Sequence, residues 1–453
     1  MNILTMSMEF ERLPTESILF ESEELNQAVE LSSQIPDNSR QWQTYINALG
    51  LFTFAKWLEE RDENLTVSWE ESTIANRALA NVISSVANLQ VGKFNLCLIT
   101  VGSLFEEQVS LPRLVVELPE YVPHFYVLVE VLEEQECGMV RGFINYQQLW
   151  ENLENVQRNT QLDWTYKIPL TWFEKDCERL LLYLRVLESE ALPLPTVPSD
   201  RKQQLAASER ELVRLLPQLQ APEKELWEIL TWEQGRAVLT SPELLEWVYK
   251  LQNNNLELEN IETQTSASLQ TYLSDFIKLI TQPAINLGRW LWDELDEIGE
   301  SLSWILLPRL TPVREFRSPV EEFEAIKSQL EAQGLEIPTG ARCGYHNFLL
   351  AGIPLRIYAV AWNLSTNNNP NSWSLLLVLG VPSPNTLPHN LKFRVSDQTC
   401  ILTEKGVNPE QVESYLYTCV VGDWNEKFIV SVSIADGVEV TLPPFVFDIT
   451  QPG

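Results

Sequence analysis

Histidine, glycine and positive charge are all scarce in this chain of 453 residues. Its three histidines are His124, His346 and His389. A nucleophile needs a base to activate it, and histidine is the usual one, so nucleophilic catalysis has few places to stand. His124 lies in the same region as Cys97 and Cys137, but lone buried cysteines are normally inert packing. The 17 glycines form neither a phosphate-cradling loop nor a dinucleotide fingerprint. Six cysteines (Cys97, Cys137, Cys177, Cys343, Cys400, Cys419) are scattered without a close pair, which reads as reduced thiols in cores. With 32 Lys+Arg against 63 Asp+Glu there is no basic stripe to displace the counterions of a nucleic acid, and an anionic membrane surface is equally disfavoured. Apolar runs such as residues 375–379 are far short of the ~20 residues that span a bilayer. The opening MNILTMSMEFERLP has no basic n-region and no apolar h-region. No signal peptide is expected, and the expected location is cytoplasmic.

What is present is acid, apolar content and tryptophan. Apolar residues make up 45% and aromatics 10%, a composition that folds. The acid is unevenly spread: 26 Lys+Arg face 54 Asp+Glu before residue 340, and 6 face 9 from there on. Asymmetry of this kind speaks to partners and layout rather than to a reaction, and it makes a protein partner with a basic surface the natural counterpart.

The expected fold class is α+β and multidomain, in three parts. Residues 1–165 should form N-terminal helices with a small β-barrel or bent sheet. Asp37-Asn-Ser39 offers a helix cap, and Trp42, Tyr45, Ile46, Leu49 and Phe52 follow near a 3.6-residue period. Strands are expected over 94–101, 108–117, 125–132 and 139–146, with a hairpin turn at 133–138. Residues 166–311 read as a helical middle. One helix is capped by Thr171, a Pro-rich linker lies near 191–200, and further helices cover 208–219, 222–231 and 242–251. A loop is expected over 253–264. Within the tryptophan-rich stretch that follows, Leu287, Leu291, Leu295, Ile298, Leu302 and Ile305 share one helical face, flanked by Trp290 and Trp304, with Trp292 farther round. Residues 312–453 read as a short helix ending at Gly334, then an antiparallel β-sandwich. Its strands are expected at 348–350, 355–362, 374–380, 391–395, 399–403, 411–421, 427–434 and 438–442, with turns at 367–371 and 435–437.

Several of these runs resemble a known family. Leu118-Pro-Glu-Tyr-Val-Pro-His-Phe-Tyr-Val-Leu-Val-Glu-Val-Leu, with Val140-Arg-Gly-Phe-Ile after it, resembles the N-terminal β unit of a cyanobacterial domain-of-unknown-function family, number 1822. Ile168-Pro-Leu-Thr-Trp-Phe and Leu180-Leu-Leu-Tyr-Leu resemble it too, and Ile285-Asn-Leu-Gly-Arg-Trp-Leu looks like its linker helix. These are packing motifs and carry no catalytic role. The resemblance implies a regulatory partner, a caspase-like protease or a sigma factor.

The functional expectation is a non-catalytic interaction scaffold or regulator that needs no cofactor. Trp290, Trp292 and Trp304 are its candidate docking residues. The alternative is a carbohydrate- or small-ligand-binding sandwich, with Trp362, Trp373 and Trp424 lining a groove. A metal-dependent hydrolase ranks third. Cys343-Gly-Tyr-His346 has a metal-ligand spacing that His389, Cys400 or Cys419 would complete, but a second close pair is lacking.

Overall fold

The computed structural model describes residues 16–68, 72–82, 87–102, 107–156, 161–221, 224–253, 266–308, 319–364, 371–382, 386–407, 414–424, 426–434 and 437–449. All but the first residue of the expected loop at 253–264, the start of the helix expected at 222–231, the beginning of the 411–421 strand and most of the turns at 367–371 and 435–437 lie outside them. The chain forms two compact units, one of Met1–Arg201 and Leu215–Leu256, the other of Lys202–Arg214 and Glu257–Gly453. The fold is mixed α and β, with a curled, half-barrel sheet and further sheets.

The first unit runs β1 (Ile18–Leu19), α1 (Ser22–Ser33), α2 (Asn38–Glu59), β2 (Val67–Ser68), α3 (Arg77–Val82), β3 (Ala87–Val91), β4 (Phe94–Val101), β5 (Gln108–Pro112), α4 (Leu114–Glu117), β6 (Phe125–Leu132), β7 (Cys137–Asn145), α5 (Tyr146–Asn155), β8 (Thr165–Pro169) and α6 (Cys177–Val186). After 192–198, which hold no regular element, come α7 (Arg201–Leu219), α8 (Leu226–Ile229), α9 (Trp232–Leu239) and α10 (Pro242–Gln252). Residues 202–214 of α7 group with the second unit. Six strands pair in the order β1-β7-β6-β4-β3-β2, with β4 and β6 parallel and the other pairs antiparallel.

Helix α2 starts as its cap predicts, with the Asp37 carboxylate accepting from the Arg40 amide at 2.9 Å. It packs on β4, β6 and β7, and from Ile46 to Leu58 nearly every side chain is buried. The 133–138 turn is present, a 3-10 turn at Glu133–Gln135 closed by Glu136 in the left-handed region at φ 49°. Two expectations need correcting. Residues 108–117 are not one strand: past Pro112 the chain turns into the single turn α4, while β5 pairs with β8. The helix expected from Thr171 begins at Cys177, because 170–172 form a 3-10 turn instead.

The second unit contains α11 (Ser266–Thr281), β9 (Ile285–Asn286), α12 (Glu297–Ser301), β10 (Ile305–Leu306), α13 (Pro319–Ala332), β11 (Arg342–Leu350), β12 (Ile353–Asn363), β13 (Ser372–Gly380), β14 (Leu391–Ser396), β15 (Ile401–Gly406), β16 (Tyr415–Asp423), β17 (Phe428–Ile434) and β18 (Glu439–Val446). Two five-stranded sheets, β10-β11-β12-β13-β16 and β15-β14-β17-β18-β9, enclose one core to which Ile357, Leu375 and Leu377 contribute from one side and Phe393, Val430 and Val432 from the other. Pairing is antiparallel except between β9 and β18. Strand β13 is buried at every residue because its other side chains, Leu376 and Val378, meet α13 through Phe323, Ile326 and Leu330. A continuous apolar run is what a strand covered on both faces requires.

The tryptophan-rich stretch is not one amphipathic helix. It is split into β9, a 3-10 turn at Leu287–Trp292, α12 and β10. Asn286 caps the start of the 3-10 turn, its side-chain oxygen accepting from the amides of Gly288 and Asp448, both at 2.9 Å. Asp293 then takes a left-handed conformation (φ 63°), and Asp296 caps α12 by accepting from Gly299 at 2.8 Å. Of the expected apolar stripe, Leu287 lies in the sandwich core and Leu291, Leu295, Ile298 and Leu302 pack against it from successive turns, whereas Ile305 is exposed.

Candidate binding site

Helix α13 lies along the first sandwich sheet through Phe323, Ile326 and Leu330. Gly334, at φ +94°, ends it in the conformation a helix C-terminus favours. The chain then returns past Ile337 and Pro338 into β11. Between these segments is a cavity of about 500 Å³ whose apolar wall includes Leu291, Leu307, Val320, Phe323, Ile337 and Val360. That volume lies within the 300–1,000 Å³ range of small-molecule sites.

Three charged side chains reach this wall: Glu324, Lys327 and Arg342. Arg342 is buried, donates to the Trp290 carbonyl at 3.1 Å and is ion-paired with Asp293. Burial lowers its pKa from the ordinary arginine value. Lys327 sits 3.8 Å from Glu331. Glu324 is different: its Oε1 is shielded from water and accepts no hydrogen bond among the described residues. A shielded acceptor without a donor costs roughly 1–3 kcal/mol, which a donor on an occupant would recover. Helix α13 and the turn after it, residues 319–336, hold five acidic residues and one basic, so the rim is negative. The cavity suits an apolar group that also carries a donor or a positive charge.

The residues singled out from sequence fall elsewhere. Trp290 and Trp304 are 0% and 3% exposed and pack against each other inside the sandwich, 5.4 Å between ring centroids. Their expected use as docking residues is therefore corrected. Trp292 alone of the three reaches solvent, at 41%. No groove joins Trp362, Trp373 and Trp424. Trp373 lies in the inter-sheet core, Trp362 is on the α13 side of the same sheet, and Trp424 packs against the core from a turn. Cys343 and His346 also separate. Three residues apart on β11, they point to opposite faces, since side chains alternate along a strand. Cys343 faces the α13 side, where burial pushes its thiol well above the usual range. His346 stacks on Trp304 at 5.6 Å, and burial lowers its pKa. Among the described residues no three His, Cys, Asp or Glu come together in a metal-holding group. His124 uses its Nδ1 to accept from the Asn95 amide at 2.9 Å, and burial raises the pKa of the Cys97 thiol.

Sequence reasoning did not single out Glu324, Lys327 or Arg342. The signal available was the acid on α13 at the i and i+3 positions facing a β-rich segment, and many exposed helices share that pattern.

A mixed α/β chain with a sandwich unit and a cavity beneath one of its helices is the class that fold and site define. Its sequence matches the family described as protein of unknown function (DUF1822) over residues 18–441, and the chain belongs to that family. No curated protein matches it. Among the described residues no helix is long and apolar enough to cross a membrane.

Proposed function

We propose that this is a multidomain, non-catalytic interaction protein whose sandwich unit receives an apolar anchor, flanked by a basic residue, from a partner protein. The observation that supports this most is the cavity under α13, with its aliphatic wall and the undonated Glu324 oxygen. The overall charge of −31 favours a cationic partner, drawn by long-range attraction that weakens with salt. A caspase-like protease and a sigma factor are the first partners to assay. A photo-crosslinking residue at Val320 should capture the partner, whereas one at the exposed Leu349 should not. Ala341→Trp, which fills the cavity, should remove the Val320 crosslink. A small molecule retained in native mass spectrometry, with no protein crosslink from Val320, would replace this reading with a small-ligand site.

A further inference from the structure

A second cavity, in the first unit, has a different chemistry. Three tryptophans from separate segments line it: Trp164 ahead of β8, Trp227 in α8 and Trp232 in α9, with Asp163 beside them. Its volume is about 30 Å³, where one water needs roughly 10–15 Å³, so it admits a compact head group and no ring.

The rings are held in place. The Trp232 indole N–H donates to Glu117 at 2.9 Å, and the same carboxylate takes Arg113 through two bonds (2.8 and 2.9 Å) and the Tyr166 hydroxyl. Trp164 stands edge-on to Trp232 at 5.4 Å with a left-handed backbone (φ 55°), rare for a bulky residue. Its ring sits against Gly235, where any Cβ would overlap it. Two guanidinium groups already lie over these rings: Arg113 is 4.4 Å from Trp232 and Arg40 is 5.5 Å from Trp227. Each is neutralised by its own carboxylate, Glu117 and Glu225. Asp163 accepts only from the Thr165 amide (3.2 Å) and hydroxyl (2.7 Å), and no ion pair joins it among the described residues. The lining therefore offers three indole rings, two of which already attract guanidinium groups, and one carboxylate with no cation of its own among the described residues.

The geometry points to an aromatic cage for a small alkylammonium head, a methylated amine or choline-like group, held by cation–π attraction and the Asp163 charge. Bare packing of α8 and α9 would also gather tryptophans, but it would show no preference for charge. This inference is independent of the cavity under α13, which lies in the other unit.

The test is titration of the full chain with choline, and in parallel with its neutral isostere 3,3-dimethylbutan-1-ol, followed by tryptophan fluorescence and calorimetry. Choline should bind about tenfold more tightly than the alcohol. Trp227→Ala, at a half-buried position of a short helix, should abolish choline binding with the melting transition retained, and Asp163→Asn should weaken it several-fold. A trimethyllysine peptide that outcompetes choline would place the head group on a protein side chain, and the reverse order would place it on a free amine. Equal binding of the alcohol, no binding of choline, or an unchanged affinity in Trp227→Ala would overturn the cage.

Discussion

Helices α2 and α11 each dock on a sheet, one in each unit, and the two seams are specified by different physics. Helix α2 meets its sheet through shape. Gly50 sits against Thr100, and Gly138 on β7 sits against Thr53, each so close that an added methyl would overlap the threonine side chain. Helix α11 meets β14, β17 and β18 through charge. Asp275, 1% exposed, accepts from Arg394 at 2.7 and 3.0 Å, from Ser396 at 2.9 Å and from Ser431 at 3.2 Å. Arg394 also donates to Glu439 at 3.0 Å. Burial opposes the arginine's charge, yet Asp275 and Glu439 hold its pKa above the ordinary value. A shape-specified seam fails by overpacking, and a charge-specified seam fails by stranding an ion. A buried pair adds little net stability over apolar packing, but breaking it is expensive.

That comparison can be broken at either seam. Asp275→Ala leaves Arg394 buried with the half-buried Glu439 at 3.0 Å and the exposed Glu404 at 3.8 Å beside it, and should cost about 3–5 kcal/mol in urea unfolding of the second unit. A loss below about 1 kcal/mol would show that the seam is held by its apolar residues instead. Gly138→Val forces a branched side chain into Thr53 and should cost about 1–3 kcal/mol, read as a lowered melting temperature of the first unit. Thr53→Ala in the same chain should recover part of that loss, because it removes the atoms that collide. The smallest effect concerns pH. His124 in the first unit and His346 in the second both have pKa values lowered by burial. Below about pH 6.5 the unfolded chain takes up protons that the folded chain resists, so stability present at neutral pH falls as the solution is acidified. His124→Asn should flatten the part of this acid sensitivity that belongs to the first unit, seen by comparing melting at pH 7.5 and 5.5.

Much of the strand content was legible, because side-chain alternation and continuous apolar runs are local. Residues 391–395 and 427–434 were read nearly as β14 and β17 stand. Residues 374–380 were read as a strand, and the structure shows why they are apolar on both faces. The tryptophan-rich stretch was misread because i+3 and i+4 spacing cannot distinguish one helix from short turns broken by Asp293, whose backbone is left-handed, and by Asp296, whose side chain caps α12. The candidate sites were hidden for another reason. Glu324 and Arg342 lie 18 positions apart on a helix and a strand, and Trp164 and Trp232 lie 68 apart. No spacing rule joins such residues.

The sequence alone determined the acidic balance, the core-forming runs, the helix cap at Asp37 and the family. Each of these is a sum over residues or a pattern within one element, and neither requires knowing what lies across the fold. Only the tertiary structure decided that Trp290 and Trp304 are core, that Cys343 and His346 face apart, and that Glu324 and the three caged tryptophans line cavities. Burial and convergence are set by elements distant in sequence, and the free energy of a side chain depends on what packs against it.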